Sequence, residues 1–381
     1  MEKREIGKLN AKPSLLGFGA MRLAIKDDGS IDYDTCRQMI DKAIAGGINY
    51  FDTAYVYHAQ KSEIFLGDEL VSRYPRDSFY LATKLPTFRV AKAEEMDEML
   101  GESLRRLKTD HIDFYLMHSL YGETWEKMKS FGFFDYVKKS KESGKIRRIG
   151  FSSHANPEEF QKIIDEYPGW EFVQIQVNYA DWDTKPGIRE CYEIAKRAGV
   201  PVIVMEPVRG GGLANPDAPA VKKISEMLKP GATPASVALR WAAGLDAAFC
   251  VLSGMSTIVQ VEENLETFSP LVPLDAGEQR AIEETIKVLK SYPTVPCTSC
   301  EYCLDGCPKE IPIDDLFSRF NAYLYYRNTR QFVQFDPGEG KAPSDCVECG
   351  ACKNVCPQHI DVPAELKRVD TMRKECAAAQ Q

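Results

Sequence analysis

Two stretches near the end of the chain repeat one cysteine spacing. "CTSCEYCLDGCP" runs from Cys297 to Pro308, and "CVECGACKNVCP" runs from Cys346 to Pro357; both read C-x2-C-x2-C-x3-C-P. Of the 12 cysteines, only Cys36, Cys191, Cys250 and Cys376 stand outside these runs, so the clustered ones are metal ligands before they are anything else. A disulfide framework does not suit a long chain whose start, "MEKREIGKLN", is charged and lacks the apolar core of a signal peptide. Zinc uses two separated C-x2-C pairs to make a tetrahedron, and a third cysteine three residues further on fits that poorly. Three thiolates spaced this closely wrap one face of an iron–sulfur cube instead.

The two runs resemble the bacterial two-cluster ferredoxins, in which the fourth cysteine of each run serves the other cluster. That resemblance implies one [4Fe–4S] cluster on Cys297, Cys300, Cys303 and Cys356, and a second on Cys346, Cys349, Cys352 and Cys307. It implies a small α+β ferredoxin-like domain over 291–381. The gap between Cys307 and Cys346 is longer than in small ferredoxins, and residues 309–345 read as a helical insertion rich in aromatics, "DDLFSRFNAYLYYRNTRQFVQF".

A second set of chemistry-bearing residues lies far upstream and needs an architecture to bring it together. Short apolar runs recur at Ser14–Gly19, Asn49–Thr53, Phe79–Lys84, Ile112–His118, Arg148–Ser153, Phe172–Val177, Val200–Glu206 and Ala248–Gly254. Amphipathic helical stretches separate them, for example Ala93–Thr109, Pro157–Tyr167 and Thr233–Gly244. Eight such β/α units in residues 1–290 match the size and count of a (β/α)8 TIM barrel. A doubly wound sheet would carry a glycine fingerprint after its first strand, and "GFGAMR" is not one.

In such a barrel, catalytic groups sit at the C-terminal ends of the strands. Those ends hold Asp52, with Tyr57 five residues on, then Lys84 and His118. A free tyrosine ionises near pH 10, too high for easy proton exchange. The Lys84 ammonium is expected to lower that value, with Asp52 keeping Lys84 protonated and oriented. His118 would fix a carbonyl oxygen, and Tyr57 would be the general acid that protonates it.

With these residues in place, the first 290 positions resemble the aldo-keto reductase family. "YFDTAYVY", "LATKLP", "FYLMHSL", "IGFSSH", "VQIQVNY", "VIVMEPVRGGGL" and "GMSTIVQVEENLETF" look like that family's successive motifs, in order. The resemblance implies a carbonyl reductase using a nicotinamide cofactor, with Asp52, Tyr57, Lys84 and His118 as its tetrad. It implies that Ser152, Ser153 and Gln176 hold the nicotinamide carboxamide, and that Gly210, Gly211 and Gly212 line the pyrophosphate loop. Glu263 and Asn264 would reach the adenine end.

Three departures modify that expectation. Ser152–Ser153 stands where the family commonly has Ser-Asn. Met205 replaces an aromatic that often stacks on the nicotinamide, leaving a flat surface on which a flavin would also fit. Gly254, Met255 and Gln260 occupy positions where a 2′-phosphate usually meets cations, so NADH is favoured over NADPH.

A nicotinamide moves two electrons as hydride and a cluster moves one. The expected function is therefore carbonyl–alcohol redox chemistry on a small organic molecule, with the clusters relaying electrons to or from a ferredoxin- or flavodoxin-type carrier. The alternatives are a conventional NAD(P)H-dependent reductase with structural or redox-sensing clusters, and a non-catalytic electron-transfer or binding protein. A formal charge of −8 and the lack of any long basic run argue against nucleic acid. "KKSKESGKIRR" (Lys138–Arg148), the densest basic stretch, reads as the exposed side of a helix and its exit. No apolar run reaches membrane-spanning length, so a soluble cytoplasmic protein is expected.

Overall fold

The structure, a computed structural model, describes residues 1–6, 9–183, 187–297, 303–304, 306–327, 329–356 and 358–379. They divide into two compact units: Met1–Gly210 with Pro230–Gln279, and Gly211–Lys229 with Arg280–Gln381.

The first unit is a closed barrel of eight parallel strands in sequential order. They are β1 (Leu16–Gly19), β2 (Tyr50–Asp52), β3 (Tyr80–Pro86), β4 (Ile112–His118), β5 (Ile146–Ser153), β6 (Phe172–Gln176), β7 (Val202–Met205) and β8 (Ala248–Ser253). Each expected strand is present, within a few residues of its expected ends. The helices follow from local signals. Asn156 caps Pro157–Glu166 by accepting from the Glu159 N–H at 2.9 Å, and Thr257 caps Ile258–Thr267 by accepting from Gln260 N–H at 3.2 Å.

Side chains alternate along a strand, so one face of each strand fills the barrel and the other meets the helices. Tyr50, Ala82, Phe114, Leu116, Phe172, Ile203 and Leu252 form the inner plug. Phe51, Leu81, Tyr115, Phe151, Val173, Val204 and Val251 pack outward under the helices. Two residues beyond the plug, the same inward face carries Asp52 after Tyr50, Lys84 after Ala82, His118 after Leu116 and Met205 after Ile203. Period-two geometry thus delivers the tetrad's strand members to one end of the barrel.

The other end is closed by the chain start, where Lys3 bridges Ser14 and Ile6 bridges Ala11. Arg148 anchors it: Nε donates to Leu9 O at 2.7 Å and Nη2 to Asn10 O at 2.9 Å. This corrects the reading of the basic stretch as all solvent-facing. Its helix is Phe133–Glu142, but Ile146–Arg148 already belongs to β5, and Arg148 turns inward under the plug.

The regular elements of the second unit, among the described residues, are helices: chiefly Ile313–Tyr326, Thr329–Val333, Ala351–Val355 and Val362–Ala378. Its core joins Phe317, Phe320, Leu324 and Phe332 to Ile311, Ile360, Leu366 and Val369, with Cys352 and Cys376 buried among them. The aromatics of the insertion therefore build the core beside the cysteines. Asn321 holds the approach to the first cysteine run by donating to Val295 O and accepting from Val295 N–H, both at 2.8 Å. Among the described residues no helix is long and apolar enough to cross a membrane.

Candidate active site and cluster pocket

The strand register aligns Asp52 with Ala82 and Lys84 with Leu116, which sets Asp52, Lys84 and His118 side by side. Lys84 is 1% exposed, so its ammonium must be fully satisfied by protein. It is: Nζ donates to both Asp52 carboxylate oxygens, at 2.7 and 2.8 Å, and to Thr53 O at 2.7 Å. Burial alone would pull the Lys84 ammonium down, but the Asp52 carboxylate and the Tyr57 phenol outweigh it and hold Lys84 above its usual 10.5. Burial likewise pushes the Asp52 carboxyl above 3.8, and Lys84 offsets part of this. We take the pair as charged, because three oxygen acceptors meet the ammonium's three protons.

Tyr57 follows in the loop after β2. The Lys84 Nζ lies 4.9 Å from the centre of its ring, and the His118 ring stands edge-on to it at 5.9 Å. The phenol departs from the sequence expectation. Lys84 does pull it down, but burial is the larger effect, with Asp52 and Glu206 adding to it, and Tyr57 is raised above 10. In the ligand-free site Tyr57 is a firmly protonated acid.

His118 is held neutral, pushed down to about 3 by burial first and by the charges of Lys84 and His154 next. Its carbonyl accepts from Thr87 Oγ1 at 2.7 Å, and Phe88 flanks the ring at 5.7 Å. The His118 Nδ1 is buried without a protein partner, which leaves it available to a ligand oxygen.

The loop carrying Tyr57 is strained. His58, Ala59 and Gln60 all adopt left-handed backbone, at φ 50°, 51° and 70°. For L-residues this costs roughly 1–2 kcal/mol each, so neighbouring structure must enforce it.

The residues expected to hold a dinucleotide are spread over the ends of β5 to β8. Ser152 and Ser153 are buried, and their hydroxyls are committed to the chain after His118: Ser152 Oγ accepts from Ser119 N–H at 2.9 Å, and Ser153 Oγ donates to Leu120 O at 2.7 Å. Gln176 Nε2 donates to Asp181 Oδ2 at 2.7 Å, and Asp181 also pairs with Arg209 at 2.9 Å. Met205 accepts from Gln174 Nε2 through its sulfur at 3.6 Å, and Gln174 Oε1 is another buried atom without a partner. Asn264 donates to Ser253 Oγ at 2.9 Å, while Glu263 is exposed.

The three glycines after β7 differ. Gly210, at φ 61°, is an open backbone cradle whose absent Cβ would lie 3.5 Å from Arg22 Nη2. Gly211 and Gly212 belong to the second unit. There a Cβ on Gly212 would approach the Tyr326 ring to 2.7 Å, so its smallness serves packing.

Arg22 is a residue that reading the motifs missed. Its stem fills the space a side chain at Gly254 would take, 2.7 Å from the absent Cβ, and its head reaches the Gly210 cradle. The stem of a cation from the loop after β1 thus occupies the space at position 254, while its charge lies beside Gly210. The only sequence signal was an arginine following "GFGAM". An open glycine cradle under a guanidinium, with unpartnered polar atoms at His118 and Gln174, fits a dinucleotide diphosphate and its reacting partner.

In the second unit, Cys307, Cys346, Cys349 and Cys352 line one pocket, with Pro308, Lys309, Ile311 and Ile313 among its other walls. These are the four cysteines expected to share a cluster. Cys297, Cys303 and Cys356 are half-buried beside the same core, and Cys300 lies outside the described residues. Burial pushes the Cys303 thiol up to about 11, and the charges of Cys297 and Cys352 add to it. Such thiols become ligands only when a metal compensates the loss of the proton. Among the described residues no three His, Cys, Asp or Glu side chains converge on a single ion site. The donor set, four soft sulfurs around a cavity with mostly apolar walls, fits an iron–sulfur cube.

Comparison with known proteins agrees with both halves. The aldo/keto reductase family matches residues 15–287, and the 4Fe-4S dicluster domain matches residues 296–360. L-galactose dehydrogenase of Arabidopsis thaliana is 27% identical over 307 residues, covering 76% of this chain and 95% of that protein. An aldo-keto reductase of Mycolicibacterium vanbaalenii is 28% identical over 258 residues, covering 67% and 85%. Among solved structures, the holo form of aldo-keto reductase AKR11C1 from Bacillus halodurans superposes with a TM-score of 0.62 at 28% identity, covering 75% of this chain and 96% of that one. The chain is an oxidoreductase of the aldo-keto reductase family, a parallel (β/α)8 barrel that carries a ferredoxin-like 4Fe-4S dicluster domain after it.

Proposed function

We propose that the barrel interconverts a carbonyl and an alcohol on a small organic substrate, with Tyr57 as proton donor and acceptor. The observation that carries this reading is the convergence of Tyr57, the Lys84–Asp52 ion pair and a neutral His118 with a free ring nitrogen. A nicotinamide, when bound, supplies the electron pair as hydride to the carbonyl carbon. Tyr57 gives its phenolic proton to the carbonyl oxygen as charge builds there. His118 holds that oxygen by a hydrogen bond. The Lys84 ammonium stabilises the phenolate left behind, and Asp52 keeps Lys84 charged. Reversal of these roles serves the oxidation.

Gln176, Met205 and the Gly210 cradle with Arg22 are the residues proposed to hold the nicotinamide and its diphosphate. NADH remains the favoured cofactor. Arg22 reaches the diphosphate side, which both cofactors share, while positions 254, 255 and 260 still lack a cation for a 2′-phosphate. Reduction of a panel of aldehydes and ketones with stoichiometric NADH or NADPH oxidation tests the reading. A panel giving no turnover with either cofactor contradicts it.

We further propose that the two clusters pass single electrons between the active site and a ferredoxin- or flavodoxin-type carrier in the reducing cytoplasm. Supporting this are the four-cysteine pocket and the exposure of Cys349 at its edge. Anaerobic EPR of the cluster-loaded protein is the test. A reduced-cluster signal that responds to NADH and substrate supports the relay. A spectrum indifferent to both favours structural or sensing clusters in a conventional NAD(P)H-dependent reductase.

A further inference from the structure

The left-handed turn after Tyr57 needs something to hold it. Three consecutive L-residues at φ 50–70° form one turn of a conformation that only glycine adopts freely. None of the three is glycine, and they follow Tyr57 directly. Relaxation of this turn would swing the phenol away from Lys84 and His118.

The side chain that grips both sides of Tyr57 is Arg106, from the helix Glu94–Arg106. Upstream of Tyr57, Nη1 donates to Tyr55 O at 3.4 Å, and the guanidinium lies 4.2 Å from the centre of the Tyr55 ring. Downstream, Nη2 donates to Gln60 Oε1 at 2.8 Å, at the last residue of the left-handed run. A further contact, 3.2 Å to Glu63 Oε2, ties Arg106 to a carboxylate that is 0% exposed. Glu63 in turn accepts from Thr83 Oγ1 at 2.6 Å, next to Lys84 on β3. Glu102 completes the fork by accepting from Nε at 2.8 Å. The Arg106 side chain is 9% exposed and Glu63 0%, so the bond between them is shielded from water, while Glu102 at 30% lies nearer the surface.

We infer that Arg106 is a positioning residue for Tyr57. Through Tyr55, Gln60 and Glu63 it enforces the strained turn and so fixes the phenol relative to Lys84 and His118. Arg106 touches none of the reacting groups. The inference rests on Tyr57 being the proton donor.

The test uses full-length, cluster-loaded protein, para-nitrobenzaldehyde as carbonyl probe and NADH as reductant, together with hydrogen exchange of the backbone. Arg106→Met is expected to lower kcat about 10- to 100-fold with KM for the aldehyde within threefold, as for a reacting group displaced by about an ångström. It is expected to speed exchange at the amides of residues 58–61 at least tenfold. Arg106→Met/Glu63→Gln removes both charges, so that a stranded carboxylate does not unfold the site, and is expected to show the same losses. Ala59→Gly alone should leave kcat unchanged. In the Arg106→Met background it should recover kcat at least threefold, because glycine removes strain that Arg106 otherwise opposes. A role in stability alone would not give that rescue.

If the double variant retains its iron content and circular dichroism, turns over within twofold of wild type and shows unchanged exchange, the inference is overturned while Tyr57 keeps its role. Full activity in Tyr57→Phe overturns both.

Discussion

Removing one partner of the Asp52–Lys84 pair puts a number on the site's electrostatics. Asp52→Asn leaves the ammonium 1% exposed, with the Thr53 carbonyl and one amide oxygen as acceptors. Stripping one partner from a buried pair costs about 3–5 kcal/mol, since the remaining charge has neither water nor a counter-ion. For a domain of this size that is roughly 6–20 °C of Tm, at about 2–4 °C per kcal/mol. Lys84→Met should cost less, because burial has already raised the Asp52 carboxyl and it neutralises by taking a proton. Asp52→Asn/Lys84→Met carries no buried charge and should be the most stable of the three. All four tryptophans, Trp125, Trp170, Trp182 and Trp241, belong to the barrel unit, so urea unfolding followed by tryptophan fluorescence reports it alone. Wild-type stability in Asp52→Asn, or a double variant less stable than either single one, would refute the reasoning. All three variants should lose most carbonyl reduction, because each removes the charge or orientation that stabilises the Tyr57 phenolate.

The pH profile follows from two shifted groups. His118, pushed down to about 3, should contribute no limb near 6.5, so kcat/KM for reduction stays flat through neutrality. Tyr57 is raised above 10 and donates only while protonated, so activity should fall with rising pH only beyond 10; a limb near 6.5 would mean a charged histidine in the site. Cys349→Ser removes one of four pocket sulfurs and should lower iron and acid-labile sulfide by roughly half in anaerobically prepared protein. Unchanged iron would move Cys349 out of the ligand set.

Most of the barrel was legible because its signals are local. Eight apolar runs with helical stretches between them set the strand count, and the period of two then dictates that Asp52, Lys84 and His118 share the inward face with the plug. The grouping of Cys307 with the second cysteine run came from the resemblance to two-cluster ferredoxins, and the four residues it names line one pocket.

What was not legible depends on three-dimensional closeness or on a balance of opposing terms. Arg22 reaches Gly210 and Gly254 from 188 and 232 positions away, and no motif announces that. Arg106 sits 49 positions from Tyr57, in an amphipathic helix whose sequence marks it as one charge among several. The left-handed run at 58–60 was hidden because none of its residues is glycine. The direction of the Tyr57 shift was misread for a different reason. A nearby ammonium is visible in the sequence as Lys84, but the depth of burial that outweighs it is not.

Tyr57→Phe tests the central claim most directly. Phenylalanine keeps the ring between Lys84 and His118 and removes only the proton. The expected result is a loss of carbonyl reduction of about 10²-fold or more, with the NADH dissociation constant unchanged. Reduction at the wild-type rate by Tyr57→Phe would contradict the assignment of the proton donor, and with it the chemistry proposed for the barrel.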